Sequence, residues 1–386
     1  MVRIIHMADI HLGARPYGFQ ERWTDILEAF EDAMRKAVEE RPDAIVIAGD
    51  LFDQPKPENS VVKHAVKVLR MATGRGIPVV AAHGEHDTPG RRDSTILQVL
   101  EAAVEGFHAP LPQGPRGAAG IVKGQAIRLG AVTILVYPFS KVDLETRRKL
   151  AGALLPAFSR LADSLEGPKV FLAHFSLDTV FPIDAVASPS ELPPVDYVAL
   201  GHVHMRHIDV DEKPPYAYTG VLDPLNIAEA RARYTHGPLL VDIEGDGVEV
   251  QEIPVEVRPQ LEVEGEARRL EEAVRIIRRA SMRKTGGKPP LVHVRLRVHP
   301  GIPLRSLYQE AASVQRSTGV LVRVAPERVD PEAGKVIVGR DAVDPLELLT
   351  GDMGLPRGAA SLILELKEAL LEGDEDRVQE VLEKLA

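Results

Sequence analysis

The sequence contains no cysteine in its 386 residues. Disulfides, thiolate metal sites and cysteine nucleophiles are therefore excluded together, and any metal has to sit on histidine, carboxylate, amide or water. Aromatic residues make up only 4% of the chain, which argues against stacking as the main grip on nucleic-acid bases. No apolar run approaches the roughly 20 residues that span a bilayer, so no membrane contact is expected. Met1–His6 meets Asp9 too early for a secretion signal, and a cytoplasmic location is expected. Asparagine occurs only at Asn59 and Asn226, and arginine outnumbers lysine 33 to 14. Few thermolabile side chains fit a thermophile, although a GC-rich genome accounts for the arginine excess equally well.

What is present describes a globular protein. Hydrophobic residues are 44% and charged residues 27%, and the length suggests two to three domains. Charge is uneven. The net charge is −10, yet Glu266 to Val329 holds 14 Lys and Arg against 5 Asp and Glu, while Asp330 to Ala386 holds 6 against 14. A basic block inside an acidic protein suggests contact with a polyanion; a solvated face explains the charge alone equally well.

Periodicity predicts an α/β domain over residues 1–257. Val2–Ala8, Ala44–Ala48, Ile77–Ala82, Ala131–Tyr137, Val170–Ala173 and Val195–Leu200 read as strands, several of them continuous apolar runs as expected when both faces are covered. Asp25–Glu40, Asn59–Met71 and Ser94–Val104 have helical spacing, and Leu239–Glu244 with Val248–Val255 reads as a hairpin around Gly245-Asp246-Gly247. Residues 258–329 read as a small α+β domain: a helix over Glu266–Arg283, an alternating strand Leu291–Val298, a helix Arg305–Thr318 and a strand Val320–Val324. Residues 330–386 read as a linker followed by two amphipathic helices, Ala359–Leu371 and Glu375–Leu385, which cannot bury their apolar faces alone.

The chemistry sits where the strands end. Met7-Ala8-Asp9-Ile10-His11, Gly49-Asp50-Leu51-Phe52-Asp53, Gly84-Glu85-His86-Asp87, Ala173-His174 and Gly201-His202-Val203-His204 each follow a strand-like run. In an α/β sheet, ligands bind at the carboxyl ends of strands, so these five ends converge on one edge. An oxygen-and-imidazole donor set suits Mn, Fe, Zn or similar ions. Asp9, His11, Asp50, Glu85, His174, His202 and His204 suffice for two ions, with a carboxylate bridging them about 3.5–4 Å apart. Asp53 is a loop carboxylate beside this set, and Asp87 fixes the loop or orients His86. His6 and His83 read as core or supporting histidines.

These motifs, in this order, resemble the calcineurin-like metallophosphoesterase superfamily, whose pattern is Asp-x-His, Gly-Asp-x-x-Asp, Gly-Asn-His-Asp, His and Gly-His-x-His. Within it the stretch from Met7 to Asn59 resembles the double-strand-break repair nuclease branch of meiotic-recombination-eleven and SbcD type, and an archaeal member in particular. The resemblance implies a layered metallophosphoesterase β-sandwich flanked by helices, a small α+β DNA-capping domain and a helical tail. It implies one ion on Asp9, His11 and His204, a second on Glu85, His174 and His202, and Asp50 as the bridge. His86 would stabilise the transition state or protonate the leaving oxygen.

The implied reaction is hydrolysis of DNA phosphodiesters, 3′-to-5′ on duplex ends and endonucleolytic on single strands. The implied ions are two divalent cations, with Mn2+ favoured over Mg2+, Fe2+ or Zn2+. The implied partners are DNA, through Arg268, Arg275, Arg279, Arg295 and Arg297; an SMC-like ABC ATPase, through the C-terminal helices; and a second copy, through Val61–Met71 and Ser94–Val104. Such a protein would be associated with the nucleoid. Three departures stand out. Glu85 replaces the usual Asn ligand, adding charge and length. Asp53 stands where some members carry His. Tyr218-Thr219-Gly220-Val221 replaces a usual Gly-Ser. Two other readings follow: a DNA-end-binding scaffold whose cutting is weakened or lost through Glu85, or a metallophosphodiesterase of other substrates.

Overall fold

Two six-stranded sheets carry most of the chain. In the first, the strand order is Gly247–Glu252, Leu239–Glu244, Val2–Met7, Ala44–Ala48, Val79–Ala82 and Phe107–His108. Its inner strands run parallel and its outer hairpin is antiparallel, with Ile4 opposite both Ala44 and Val241. In the second, the order is His207–Asp209, Tyr216–Tyr218, Tyr197–Gly201, Lys169–His174, Val132–Val136 and Ala126–Leu129, parallel at the centre and antiparallel at both edges. The structure is a computed structural model and describes residues 1–89, 94–111, 117–232, 234–245, 247–283, 287–329 and 336–337.

The apolar strand runs dictate the layering. Alternate residues of one strand face opposite ways, and here both directions are dry. Ile4, Val46, Ala48 and Val80 of the first sheet meet Ile134, Val170, Leu172 and Ala199 of the second in a shared core. Ile5, Met7, Ile45 and Ile47 point outward, under the helices Gln20–Glu39 and Asn59–Thr73 through Phe30, Met34, Val61 and Val68. On the far side Leu135, Phe171, Val198 and Leu200 pack beneath the helix Leu144–Asp163 through Leu154, Leu155 and Phe158. The result is a helix–sheet–sheet–helix sandwich. Thr95 starts the helix Ile96–Ala103 with a reciprocal capping box to Gln98, and Asp143 caps Leu144–Asp163 by accepting from the Thr146 N–H at 2.9 Å. No helix among the described residues is long and apolar enough to cross a membrane.

By internal contacts the chain divides into one unit of Met1–Glu262, Ala280–His293 and Ser313–Arg323, and a second of Val263–Arg279, Val294–Ala312 and Val324–Ala386. A further sheet has the order Gln260–Ala267, Leu291–Val298, Leu321–Val329 and Val336–Ile337. The helix expected over Glu266–Arg283 is shorter, Leu270–Ala280, and Gln260–Ala267 before it is a strand. Glu262, Glu264 and Glu266 are spaced by two, which is the strand period. In Leu291–Val298 the sequence alternation is reproduced, with Val292, Val294, Leu296 and Val298 buried and Arg295 and Arg297 exposed. The amphipathic helices expected in 359–385 lie outside the described residues.

Candidate metal centre

Every candidate ligand sits at or just beyond the end of a strand. Asp9 and His11 follow Val2–Met7; Asp50 follows Ala44–Ala48; Glu85 and His86 follow Val79–Ala82; His174 ends its strand; His202 and His204 follow Tyr197–Gly201. The first two loops are zipped together. The N–H groups of Ile10 and His11 donate to the Asp50 carbonyl at 3.0 and 3.1 Å, and that of Leu12 donates to the Leu51 carbonyl at 2.9 Å.

The backbone is strained where the ligands are. Asp9, His11, Asp50 and His202 have φ of 50°, 51°, 49° and 91°, a region that costs a non-glycine residue on the order of 1–3 kcal/mol. The loop bonds hold them there. Neighbouring glycines make the space. A Cβ on Gly49 would lie 2.3 Å from His174 Nδ1, and one on Gly84 would lie 2.1 Å from Asp50 Oδ1.

The side chains converge as two overlapping groups around Asp9 and a third, of His11, Asp53 and His86, nearer the mouth. Asp9, His11 and His204 bring one donor atom each within 4.8 Å of one another, as do Asp9, Asp50 and His174. Asp9 belongs to both. The Nε2 atoms of His11 and His204 face each other at 3.1 Å, and His174 Nε2 lies 3.3 Å from Asp50 Oδ2. That Nε2 is buried and has no hydrogen-bond partner. Buried polar atoms are normally paired, so an unpartnered imidazole nitrogen among carboxylates fits a cation. His202 stacks edge-on against His174 with ring centroids 5.2 Å apart, and its N–H donates to Asp9 Oδ1 at 3.0 Å. Glu85 is exposed and belongs to none of the donor groups found among the described residues.

The supporting residues explain the loop shapes. Asp87 is fully buried and accepts the N–H groups of Leu51, Phe52 and Gly84 at 3.3, 3.0 and 3.1 Å, joining two ligand loops. Burial, and then the charge of Asp50, raise its carboxyl above the ordinary range. Burial also pushes the Asp50 carboxyl up, but the imidazoles of His174, His11 and His86 outweigh it and hold Asp50 well below that range. Asp53 places Oδ1 3.4 Å from His11 Nδ1. His86 is exposed at the mouth, edge-on to the His11 ring with a centroid distance of 4.8 Å. His6 bonds the Tyr197 hydroxyl at 3.0 Å and His83 bonds Thr95 Oγ1 at 2.8 Å, both buried.

Two carboxylates escape sequence reasoning. Asp184 lies 2.7 Å from His202 Nε2, and Glu229 lies 3.0 Å from His204 Nδ1. Glu229 had a detectable signal, because Asn226-x-x-Glu229 has the spacing of a helix cap and Asn226 does cap the helix Ile227–Ala230. Asp184 had none; only the tertiary fold brings its loop to His202.

The fold and this centre define a metal-dependent phosphoester hydrolase. Residues 2–206 match the family model described as calcineurin-like phosphoesterase, and the chain belongs to that family. Its curated relatives narrow the placement. It is 40% identical, over 100% of this chain and 96% of the relative, to the "DNA double-strand break repair protein Mre11" of Aeropyrum pernix. It is 27% identical to the protein of the same name from Saccharolobus solfataricus over 76% of this chain and 74% of that one, and 26% identical to that from Archaeoglobus fulgidus over 98% and 88%. The donor groups form a divalent-metal site, and the enzyme is a metal-dependent phosphodiesterase.

The candidate basic residues Arg268, Arg275, Arg279, Arg295 and Arg297 are all exposed. Their surroundings are not uniformly basic. Arg295 bridges Glu264 at 3.2 Å and Glu327 at 3.1 Å, and Arg268 lies 3.8 Å from Glu266.

Proposed function

We propose that this chain is a DNA nuclease of double-strand-break repair, acting 3′-to-5′ on duplex ends and endonucleolytically on single strands. The observation that carries the reading is the convergence of Asp9, Asp50, His11, His174 and His204, from four separate strand ends, into two donor groups that share Asp9. The identity to Mre11 proteins over the full length supports the substrate. Asp9, His11 and His204 would hold one ion, and Glu85, His174 and His202 the other, with Asp50 between them. The mixed oxygen and imidazole set suits Mn2+, Fe2+ or Zn2+ alike, and the family resemblance favours Mn2+.

When bound, the ions would activate water for attack and offset the negative charge that grows on the phosphoryl oxygens. The protein's own part is positional. Asp87 and the glycine loops hold the donors in strained geometry, and the apolar floor formed by Ala8, Ala48 and Ala82 excludes water from behind the ligands. His86 stands at the open side with Nδ1 donating to the Asp53 carbonyl, so that as the imidazolium it would turn Nε2–H to the scissile phosphate and give that proton to the leaving oxygen.

DNA would be bound outside the centre by Arg275, Arg279 and Arg297, with Arg268 and Arg295, through phosphate contacts that carry no base preference. The segment 330–386 would dock on a coiled-coil ABC ATPase, and the helices Asn59–Thr73 and Ile96–Ala103 would pair with a second copy. A DNA-associated, nucleoid location follows.

One observation favours a second reading. Glu85 is exposed and outside the donor groups, which suits an end-binding protein with reduced cutting. A Mn2+-dependent nuclease assay on duplex and single-stranded DNA separates the two. Wild-type protein should cut, and Asp50→Ala or His202→Ala should abolish cutting. A wild type that binds ends at nanomolar concentration but leaves them intact overturns the nuclease reading.

A further inference from the structure

We infer that Asp184 and Glu229 are positioning residues that choose which ring nitrogen His202 and His204 offer to metal, each governing a different ion. This rests on the proposed ligand set. A neutral imidazole carries one proton, and the nitrogen opposite it holds the lone pair. A carboxylate accepts, so each ring puts its proton on the nitrogen facing its carboxylate. His202 Nε2 faces Asp184 Oδ2 at 2.7 Å, leaving Nδ1 as the donor atom. His204 Nδ1 faces Glu229 Oε1 at 3.0 Å, leaving Nε2, the atom already opposed to His11 Nε2. The two histidines of one Gly-His-x-His motif are thereby set to coordinate through different nitrogens.

His174 provides the contrast. Its outer nitrogen, Nδ1, donates to a main-chain carbonyl, that of Ala48, at 2.8 Å. That acceptor belongs to a buried strand and needs no side chain. His202 and His204 lie beyond their strand, and their acceptors are side chains of other segments, Asp184 at the end of the helical turn Pro182–Asp184 and Glu229 in the helix Ile227–Ala230.

Both carboxylates are themselves held in place. Asp184 Oδ1 accepts from Arg147 at 3.1 Å, and the Asp184 carbonyl accepts from Ser176 Oγ at 3.0 Å. Glu229 Oε2 accepts the Leu225 N–H at 2.7 Å, and Oε1 accepts from Asn226 Nδ2 at 2.6 Å. The segment bearing Glu229 is pinned in turn by fully buried Arg22, which donates to the Pro224 carbonyl at 2.8 Å and to Asp223. Carboxylates behind metal-ligating histidines orient the ring and make it a stronger donor, and removing them costs on the order of 10- to 100-fold in metal affinity. Because the two carboxylates back histidines of different ions, their loss should be felt separately.

The test is Mn2+ titration of the full chain by calorimetry, with 15N-histidine NMR of the metal-free protein. Wild type should bind two ions and show His202 protonated at Nε2 and His204 at Nδ1. Glu229→Ala should weaken one ion about 10- to 100-fold and leave the other, Asp184→Ala should do the converse, and each should free the tautomer of its own histidine alone. Glu229→Gln and Asp184→Asn keep an acceptor oxygen and should retain the tautomers and most of the affinity. Two wild-type affinities in both alanine variants, or equal loss of both ions in each, overturns the inference. If wild type binds no pair of ions, the ligand set itself fails, whereas the tautomer measurement on metal-free protein still decides the roles of Asp184 and Glu229.

Discussion

His86 donates its Nδ1 proton to the main-chain carbonyl of Asp53 at 2.7 Å. A carbonyl can only accept, so the bond fixes the tautomer and leaves Nε2 at the solvent-facing mouth. The same residue's N–H donates to Asp50 Oδ1 at 2.9 Å, which ties the His86 loop to the ligand loop. His86→Ala should therefore lower single-turnover cleavage by about 10²- to 10⁴-fold, the range for a lost proton-transfer group, while Mn2+ stoichiometry stays at the wild-type value. Cleavage at the wild-type rate with full metal occupancy removes His86 from the chemistry.

Glu85 adds a negative charge beside a centre whose task is to attract a phosphodiester. Glu85→Asn should raise the cleavage rate at saturating Mn2+ and leave folding untouched, because residue 85 is exposed. Parallel rate measurements on both proteins check this. A slower Asn variant would show that the centre needs the carboxylate's charge to hold its ions.

Fully buried Arg22 donates to Asp25 Oδ2 at 2.9 Å and to Asp223, and Arg258 and Lys288 reach the same Asp25 at 2.6 and 3.1 Å. Burial alone would push the Asp25 carboxyl up, but Arg258, Lys288 and Arg22 together hold it below its ordinary range. Arg22→Met strands the buried carboxylate of Asp223, while Asp25 keeps Arg258 and Lys288, and should cost about 3–5 kcal/mol, as for a broken buried pair. Urea denaturation measures it. Exposed Arg35, paired with Asp32 and Glu39, is the control, and Arg35→Ala should give no resolvable change.

His6 and His293 fix an acid limit. Burial lowers His6 to about 3 and His293 to about 4. Both folded values lie below the unfolded one near 6.5, so below that pH the unfolded chain takes up protons that the folded chain refuses. Their contribution is complete above roughly pH 6.5 and declines as pH falls toward 3–4, reaching a loss of about 2 kcal/mol per histidine at pH 5. Denaturation midpoints between pH 7 and 5 should show this slope, and His293→Gln should flatten it. An unchanged slope in that variant would remove His293 from the account.

Arg275, Arg279 and Arg297 should carry the salt dependence of DNA binding. Replacing each with Gln should weaken duplex and single-stranded DNA alike and lower the log–log salt slope by about one per phosphate contact removed. Arg295→Gln should do less, because Glu264 and Glu327 already engage that guanidinium. A larger effect at Arg295 than at Arg297 would contradict the charge arrangement described above.

Much of the centre was legible because its residues obey a local rule. Asp9, Asp50, His174 and His202 each stand at a strand terminus, and strands of β-branched and aliphatic residues are recognisable from composition. The helix Leu144–Asp163 was not legible. Its apolar residues Leu154, Leu155 and Phe158 surround Pro156, a residue that ordinarily breaks helices. The short edge strand His207–Asp209 and its neighbour Tyr216–Tyr218 were also missed, since three residues carry no period.

The sequence by itself determined the donor chemistry. Without cysteine the site had to be built from oxygen and imidazole, and continuous apolar strands had to be covered on both faces, whether by helices or by a second sheet. Only the tertiary structure decided which lone pairs point inward. Asp184 is 18 residues from His202 and Glu229 is 25 from His204, and no periodic signal links residues across a loop. The tautomer of a histidine depends on the atom opposite its outer nitrogen, and that atom is supplied by the folded chain rather than by a neighbour in sequence.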